Sequence, residues 1–268
     1  MSPHRLSFRP FSPAGAFPLK AAAAGALFSV LLAFPGYADT KKGVDALEQH
    51  DYATAFKEFS APAEQGDGEA QYYLGLLYLY GAGVQRNPET ARGWLQKSAD
   101  QGNTNGMVGL AGYLNEVHPQ HRDPKALELY NKAAEKGNSH AAGALAWAYL
   151  RGEGVDKDCD KGKDWMLKAA GGETARDYLM LASYYRFDGC PDHDPEKAIG
   201  YMEKAAGTGS VQAQFQVGNA FLLGLDTPID TARAAFWLNK AAAAGHGQAR
   251  ELVTLFGLTP EAAASPAP

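Results

Sequence analysis

Large apolar residues and small residues recur along this chain at fixed intervals. Leu74-Gly75, Leu110-Ala111, Leu145-Ala146, Leu181-Ala182 and Val217-Gly218 make one column, and four residues after each leucine or valine stand Tyr78, Leu114, Tyr149, Tyr185 and Phe221. Positions four apart lie on one face of a helix. A second column joins a lysine to two small residues: Lys97-Ser98-Ala99, Lys132-Ala133-Ala134, Lys168-Ala169-Ala170, Lys204-Ala205-Ala206 and Lys240-Ala241-Ala242, at spacings of 35, 36, 36 and 36. Three residues before each lysine is Trp94, Leu129, Trp165, Tyr201 or Trp237. Columns in phase over five copies define a repeat of about 36 residues. A period of that length marks stacked helical repeats.

Each period predicts two helices and a break. The first helix carries the leucine and tyrosine columns, and the small residue after the leucine permits a neighbour's close approach. Glycine-rich breaks follow, as in Gly81-Ala82-Gly83-Val84 and Gly152-Glu153-Gly154-Val155. The second helix opens on Asn87-Pro88, Asp123-Pro124, Asp194-Pro195 or Asp230. An Asn or Asp cap accepts from orphan amides, and proline at the first helical position gives up no hydrogen bond. Ala91, Ala126, Gly162, Ala198 and Ala234 again allow close packing one turn in, and Gly66, Gly102, Gly137, Gly209 and Gly245 end the helix. One copy departs. Its terminal position is Glu173, with Gly171 and Gly172 displaced upstream, and the next helix opens around Asp177 where its siblings carry Ala.

The stretch Ala70-Gln71-Tyr72-Tyr73-Leu74-Gly75-Leu76-Leu77-Tyr78, then Gly81 to Val84, then Trp94-Leu95-Gln96-Lys97, resembles the Sel-one-like repeat family, relatives of the tetratricopeptide repeat. The resemblance covers about residues 40–250 and is weakest where Asn115 to His121 replaces the Gly-x-Gly-Val turn. It implies an all-α, right-handed superhelical α-solenoid of helix-turn-helix repeats, with first helices lining a concave side. The expected organisation is a signal peptide over 1–38, a truncated first repeat over 39–66, and repeats over 67–102, 103–137, 138–173, 174–209 and 210–245. A capping helix and disordered tail then fill 246–268. Tryptophans at repeat spacing are packing residues in such a stack.

If tetratricopeptide relatives are a guide, the groove is lined from positions two before, two after, and five or six after the column leucine. The resulting binding set is Tyr72, Leu76, Tyr80, Trp147, Arg151, Ser183, Arg186, Phe187, Phe215 and Asn219, with Leu79, Leu150 and Leu222 at the five-after position of other copies. Trp147 lies off the tryptophan core column and is the centre of the set. The competing reading packs these side chains between repeats. Trp, Tyr and Arg are over-represented among interface anchors, and the expected occupant is another protein or a peptide segment, regulatory or assembly-related.

Composition narrows the alternatives. The 268 residues are 46% hydrophobic and 21% charged, which excludes a polyelectrolyte, a collagen or a multi-spanning membrane protein. Residues 1–38 hold Arg5, Arg9 and Lys20 and no acid, followed by an apolar run from Ala21 to Phe34 and small residues Gly36 and Ala38. Basic head, short apolar stretch and small-residue exit read as a secretory signal peptide, and fourteen apolar residues are short for a membrane span. Its removal leaves 230 residues with a net charge of -8, periplasmic or secreted and without a membrane span. Such a chain repels phosphate backbones, so nucleic acid is excluded as a partner.

Catalytic signatures are missing. Cysteine-rich members of the resembled family are described as β-lactamases, which makes such a hydrolase the alternative reading, but no Ser-x-x-Lys, Lys-Thr-Gly, Gly-x-Ser-x-Gly or His-Glu-x-x-His occurs. His118 and His121, with His193, have a chelating spacing but no cysteine or carboxylate set beside them, so neither metal nor cofactor is expected. Cys159 falls at the start of a second helix and Cys190 in the next repeat's turn. Stacking sets these along one edge, and an oxidising compartment favours pairing. The alternative is two thiols held beyond the roughly 7 Å between Cα atoms that a bridge allows. Processing is directly testable: the intact mass of envelope-derived protein corresponds to a chain starting at Asp39, and a retained N-terminus released only by detergent overturns the leader reading.

Overall fold

A computed structural model describes residues 37–117 and 123–258, and among them it forms thirteen α-helices and no strand. The expected leader up to Gly36, His118 and His121, and the tail from Pro260 lie outside the described residues. Two compact units divide at Gly109 and Leu110. The first contains α1 (Tyr37–Glu48), α2 (Tyr52–Glu64), α3 (Gly68–Tyr80), α4 (Pro88–Asp100) and the start of α5 (Thr104–Val117). The second continues with α6 (Pro124–Glu135), α7 (Ser139–Arg151), α8 (Cys159–Ala169) and α9 (Ala175–Tyr185). It closes with α10 (Pro195–Gly207), α11 (Val211–Leu223), α12 (Thr231–Ala243) and α13 (Gly247–Leu255). The architecture is an all-helical α-solenoid of helix pairs.

The caps sit where the sequence puts them. Asn87, Asp123, Asp194 and Asp230 each accept a backbone amide of the second helix they open, and Pro88, Pro124 and Pro195 occupy its first turn. First helices α3, α7 and α11 end on left-handed Gly81, Gly152 and Gly224, with φ of 70°, 69° and 68°. A second recurring bond closes each turn: Asn87, Asp158, Asp194 and Asp230 donate their amides to the carbonyls of Tyr78, Tyr149, Tyr185 and Phe221 at 2.8–2.9 Å. The backbone at this column closes the turn while its side chains face the core.

Small residues set the helix spacing. A Cβ added at Gly75 would lie 2.7 Å from Leu95 Cγ, and one at Gly218 would lie 2.8 Å from Leu238 Cγ. Ala91 in the first unit, and Ala126, Ala198 and Ala234 in the second, have no accessible surface. Leu74, Leu77 and Phe59 fill the first unit's core, where the Phe59 and Tyr73 rings stack at 4.7 Å. Val217, Phe221, Trp237 and Leu238 do the same in the second. The lysine column also has a structural role. Lys97 lies over Trp94 (4.1 Å), Lys168 over Trp165 (4.2 Å), Lys204 over Tyr201 (5.1 Å) and Lys240 over Trp237 (5.2 Å). Where Leu129 replaces the ring, Lys132 instead pairs with Glu128 at 2.6 Å.

The departing copy has a physical explanation. Without a terminal glycine, α8 stops at Ala169, and α9 opens on a reciprocal cap in which Asp177 accepts from Thr174 while the Thr174 hydroxyl accepts from the Asp177 amide. Asp177 is buried because it closes this box.

One polar pairing is complete in one copy and incomplete in another. Buried Gln71 donates to the Ala63 carbonyl and accepts from Gln101 Nε2 at 2.7 Å. Its equivalent, Gln214, donates to Ala206, but its Oε1 is buried without a partner, because Ala244 stands where Gln101 does. Ala244→Gln supplies the missing donor on a helix cap of nearly the same backbone (φ -81° against -79°). It should raise stability by about 0.5–1.5 kcal/mol in denaturant unfolding; an unchanged midpoint would show that water already satisfies Gln214.

Candidate functional site

A group of partly buried aromatic and cationic side chains gathers at the end of α7 and in the turn after α9. Trp147 on α7 is half-buried against the core cluster of Ala146, Leu150, Met166, Leu181 and Tyr184. The Arg151 guanidinium, one turn on, stacks over its ring at 4.6 Å and reaches Glu153 at 3.7 Å. Phe187 meets the same indole edge to face at 5.8 Å. Lys157 Nζ stands 5.9 Å over Phe187, and the exposed Leu223 on α11 and Leu255 on α13 occupy the helix positions that Arg151 and Trp147 respectively hold on α7. Spacing puts Trp147 and Arg151 side by side and Phe187 towards one end of the groove, and the fold brings all three together. Lys157 joins them through Phe187.

Other expected residues lie differently. Leu79, Leu150 and Leu222 turn inward and are buried, so the five-after position is a core position in those copies. Arg186 and Phe187 do not lie on a helix at all. Position seven after the column leucine is Asp188 rather than glycine, α9 ends at Tyr185, and both residues belong to the turn. Arg186 remains exposed and pairs with Asp226, 2.5 Å away, whose left-handed φ, 61°, is shared with Gly83 and Gly154 at the same turn position. Phe215 stacks on His246 at 4.2 Å and joins the core, which is packing between repeats. Ser183 is exposed and donates to the Leu179 carbonyl, and Asn219 is half-buried.

In the first unit, Leu76 is half-buried and Tyr80 exposed. Tyr72 packs on Tyr73 at 5.0 Å and against the backbone at Gly109, and burial, with Glu69 nearby, pushes its phenol pKa upward. It is a packing residue.

Cys159 and Cys190 are joined, with Cα atoms 5.8 Å apart. Beside them, Asp192 accepts from Lys163 at 2.5 Å and from the Tyr184 hydroxyl at 2.8 Å. These bonds, Lys163 first, hold its carboxyl below the usual range. Burial, reinforced by Asp192, raises the Tyr184 phenol. A small polar recess of about 230 Å³ lies here, lined by Lys163, Tyr185, Asp192, His193, Asp194 and Lys197 among others. Nothing in the sequence pattern singles out Asp192; it is outside every repeat column. Among the described residues no three His, Cys, Asp or Glu side chains converge as a metal site would require, and no helix is long and apolar enough to cross a membrane.

A stack of short helix pairs of this kind defines an α-solenoid of helical repeats. The Sel1 repeat pattern matches residues 68–103, 123–138, 139–171, 176–207 and 211–246, more than half the sequence, and the chain belongs to that family. It is 32% identical over 159 residues to the exopolysaccharide production negative regulator of Rhizobium meliloti, covering 54% of this chain and 59% of that one. Across the curated relatives it matches first, the chain spans 34% and 59% of their lengths. Among solved structures, the protective antigen c5321 of uropathogenic Escherichia coli, with an SLR fold, is 31% identical at a TM-score of 0.58, over 83% of this chain and 50% of that one. A Sel1 repeat protein from Oxalobacter formigenes shares the fold at 24% identity and a TM-score of 0.58, over 86% of this chain and 98% of that one. Sel1-repeat proteins are protein-interaction scaffolds, and one relative is named as a negative regulator.

Asp192 yields a pH prediction. A carboxyl whose pKa is lowered by folding stabilises above its unfolded value, about 3.9, and loses that contribution as pH falls through the folded value. Asp192→Asn should therefore lower the melting temperature at neutral pH, with the gap to wild type closing below about pH 4. A gap independent of pH would mean that the carboxylate charge contributes nothing.

Proposed function

We propose that the protein is an exported, non-enzymatic scaffold of the bacterial envelope that binds a partner protein or peptide segment on the first-helix face of its second unit. The observation that carries this reading is the Trp147–Arg151–Phe187 cluster. Trp147 stands off the repeat's tryptophan column and is only half-buried, and half-buried Trp and Arg together are frequent anchors of an interface. Leu223 and Leu255, exposed at the helix positions that Arg151 and Trp147 hold on α7, add apolar surface to the first-helix face. Arg151 and Lys157 suit a partner segment that sets a carboxylate beside an apolar side chain. The basic and then apolar N-terminal segment, and the disulfide, support export. A regulatory role is favoured by the Rhizobium relative's name, and an assembly role is the other form of the same scaffold.

Crosslinking capture from the native envelope tests the reading. Trp147→Ala with Arg151→Ala should cut capture at least tenfold, about 1.4 kcal/mol or more. Because Trp147 also touches the core, that variant melts somewhat lower, so Leu223→Asp, at an exposed position, is the cleaner probe: it should reduce capture with melting unchanged. Full capture by both variants in folded form places the partner elsewhere and overturns the proposal. Turnover of a chromogenic cephalosporin by the purified mature protein would revive the hydrolase alternative.

A further inference from the structure

The turn that carries Phe187 is built unlike its siblings. Those turns leave α3, α7 and α11 through a left-handed glycine, and α9 instead ends two residues early, with Arg186 at φ -77° as its cap. The local glycine geometry that normally directs the chain is absent. What remains is the contact to the preceding second helix. In the first unit, Gly83, nine residues after Leu74, presses on the first residue of α2, so closely that a Cβ there would lie 2.2 Å from the Tyr52 carbonyl oxygen. The residue nine after Leu181 is Cys190, and the first residue of the preceding second helix, α8, is Cys159. The same approach has become a covalent bond.

That bond lies directly behind Phe187. A Cβ at Gly189 would sit 2.4 Å from Phe187 Cζ, so the far end of the ring is pressed against the turn's backbone. The Gly189 carbonyl accepts from Lys157 Nζ at 2.5 Å, and Cys159 Sγ is 3.9 Å from the same oxygen. Phe187 is thus held between this pinned backbone and the Trp147 indole, 5.8 Å away.

We infer that the Cys159–Cys190 bond, with Lys157 beside it, positions Phe187 on Trp147, and that it is required for the binding surface rather than for the fold. This rests on the binding reading above, but the geometry it asserts is measurable without a partner. The readout is the Trp147 indole N–H resonance, assigned with Trp147→Phe, whose shift senses the Phe187 ring. The variants are Cys159→Ser with Cys190→Ala, and Phe187→Leu as the reference for a lost ring. In the cysteine variant the Trp147 resonance should move to its position in Phe187→Leu, while the Trp94 and Trp237 resonances stay in place. Envelope capture should fall as far as it does in Phe187→Leu. Two results overturn the inference: a Trp147 resonance that stays put while melting falls, which makes the bond a plain staple, or movement of Trp94 and Trp237 as well, which makes it a condition of folding. If Trp147 responds as expected and capture persists, the positioning role stands and the binding reading falls.

Discussion

How closely two short helices can approach is the constraint on which this protein depends. Helices of eleven to fourteen residues dominate the structure, and helices of that length are marginal in water on their own. They persist only by burying one face against the next. The Gly75 and Gly218 contacts, and the fully enclosed alanines one turn into the second helices, let leucine side chains reach a neighbouring backbone. The aromatic columns then fill the remaining volume. The lysines stacked on those rings finish each pair on its wet side, where a cation over an aromatic face is worth about 0.5–1 kcal/mol.

A second constraint acts at the end of each first helix. A left-handed residue there both stops the helix and aims the turn, which glycine does at little cost. Where glycine is present, residues six after the leucine, such as Tyr80 and Arg151, stay on the helix. Where Asp188 takes its place, the helix stops short and Phe187 leaves it for the turn. That displacement is what carries Phe187 onto Trp147 of the preceding repeat. A departure from the repeat rule thus coincides with the Trp147–Arg151–Phe187 cluster.

These two constraints explain what the sequence made legible. Repeat length, helix pairing, caps and the small-residue columns are all local, recurring signals, and five copies average out the noise in any one. Cys159 and Cys190 could be paired because repeat stacking converts a sequence offset into a neighbourhood. The site was legible only by analogy of position. Leu79, Leu150 and Leu222 were placed outward by a rule that ignores small rotations of each helix, and their long apolar side chains decide the matter by turning in. Lys157 and Asp192 carried no signal, since each works through a tertiary contact in a turn that no period describes.

The disulfide links location to function. Loop closure over 31 residues stabilises by restricting the unfolded chain, and that benefit would accrue wherever along the stack the bridge were placed. Its placement behind Phe187 is specific. The bond stands in the one turn that lacks a left-handed glycine exit among those compared, and it backs the ring that completes the aromatic cluster. In a reducing compartment the two thiols would leave that turn to Lys157 and the Asp192 pairings alone. An oxidising compartment keeps the turn closed and the Trp147 face assembled. The export suggested by residues 1–38 and the binding suggested by the first-helix face are therefore linked expectations: the surface is complete only where the bond can form.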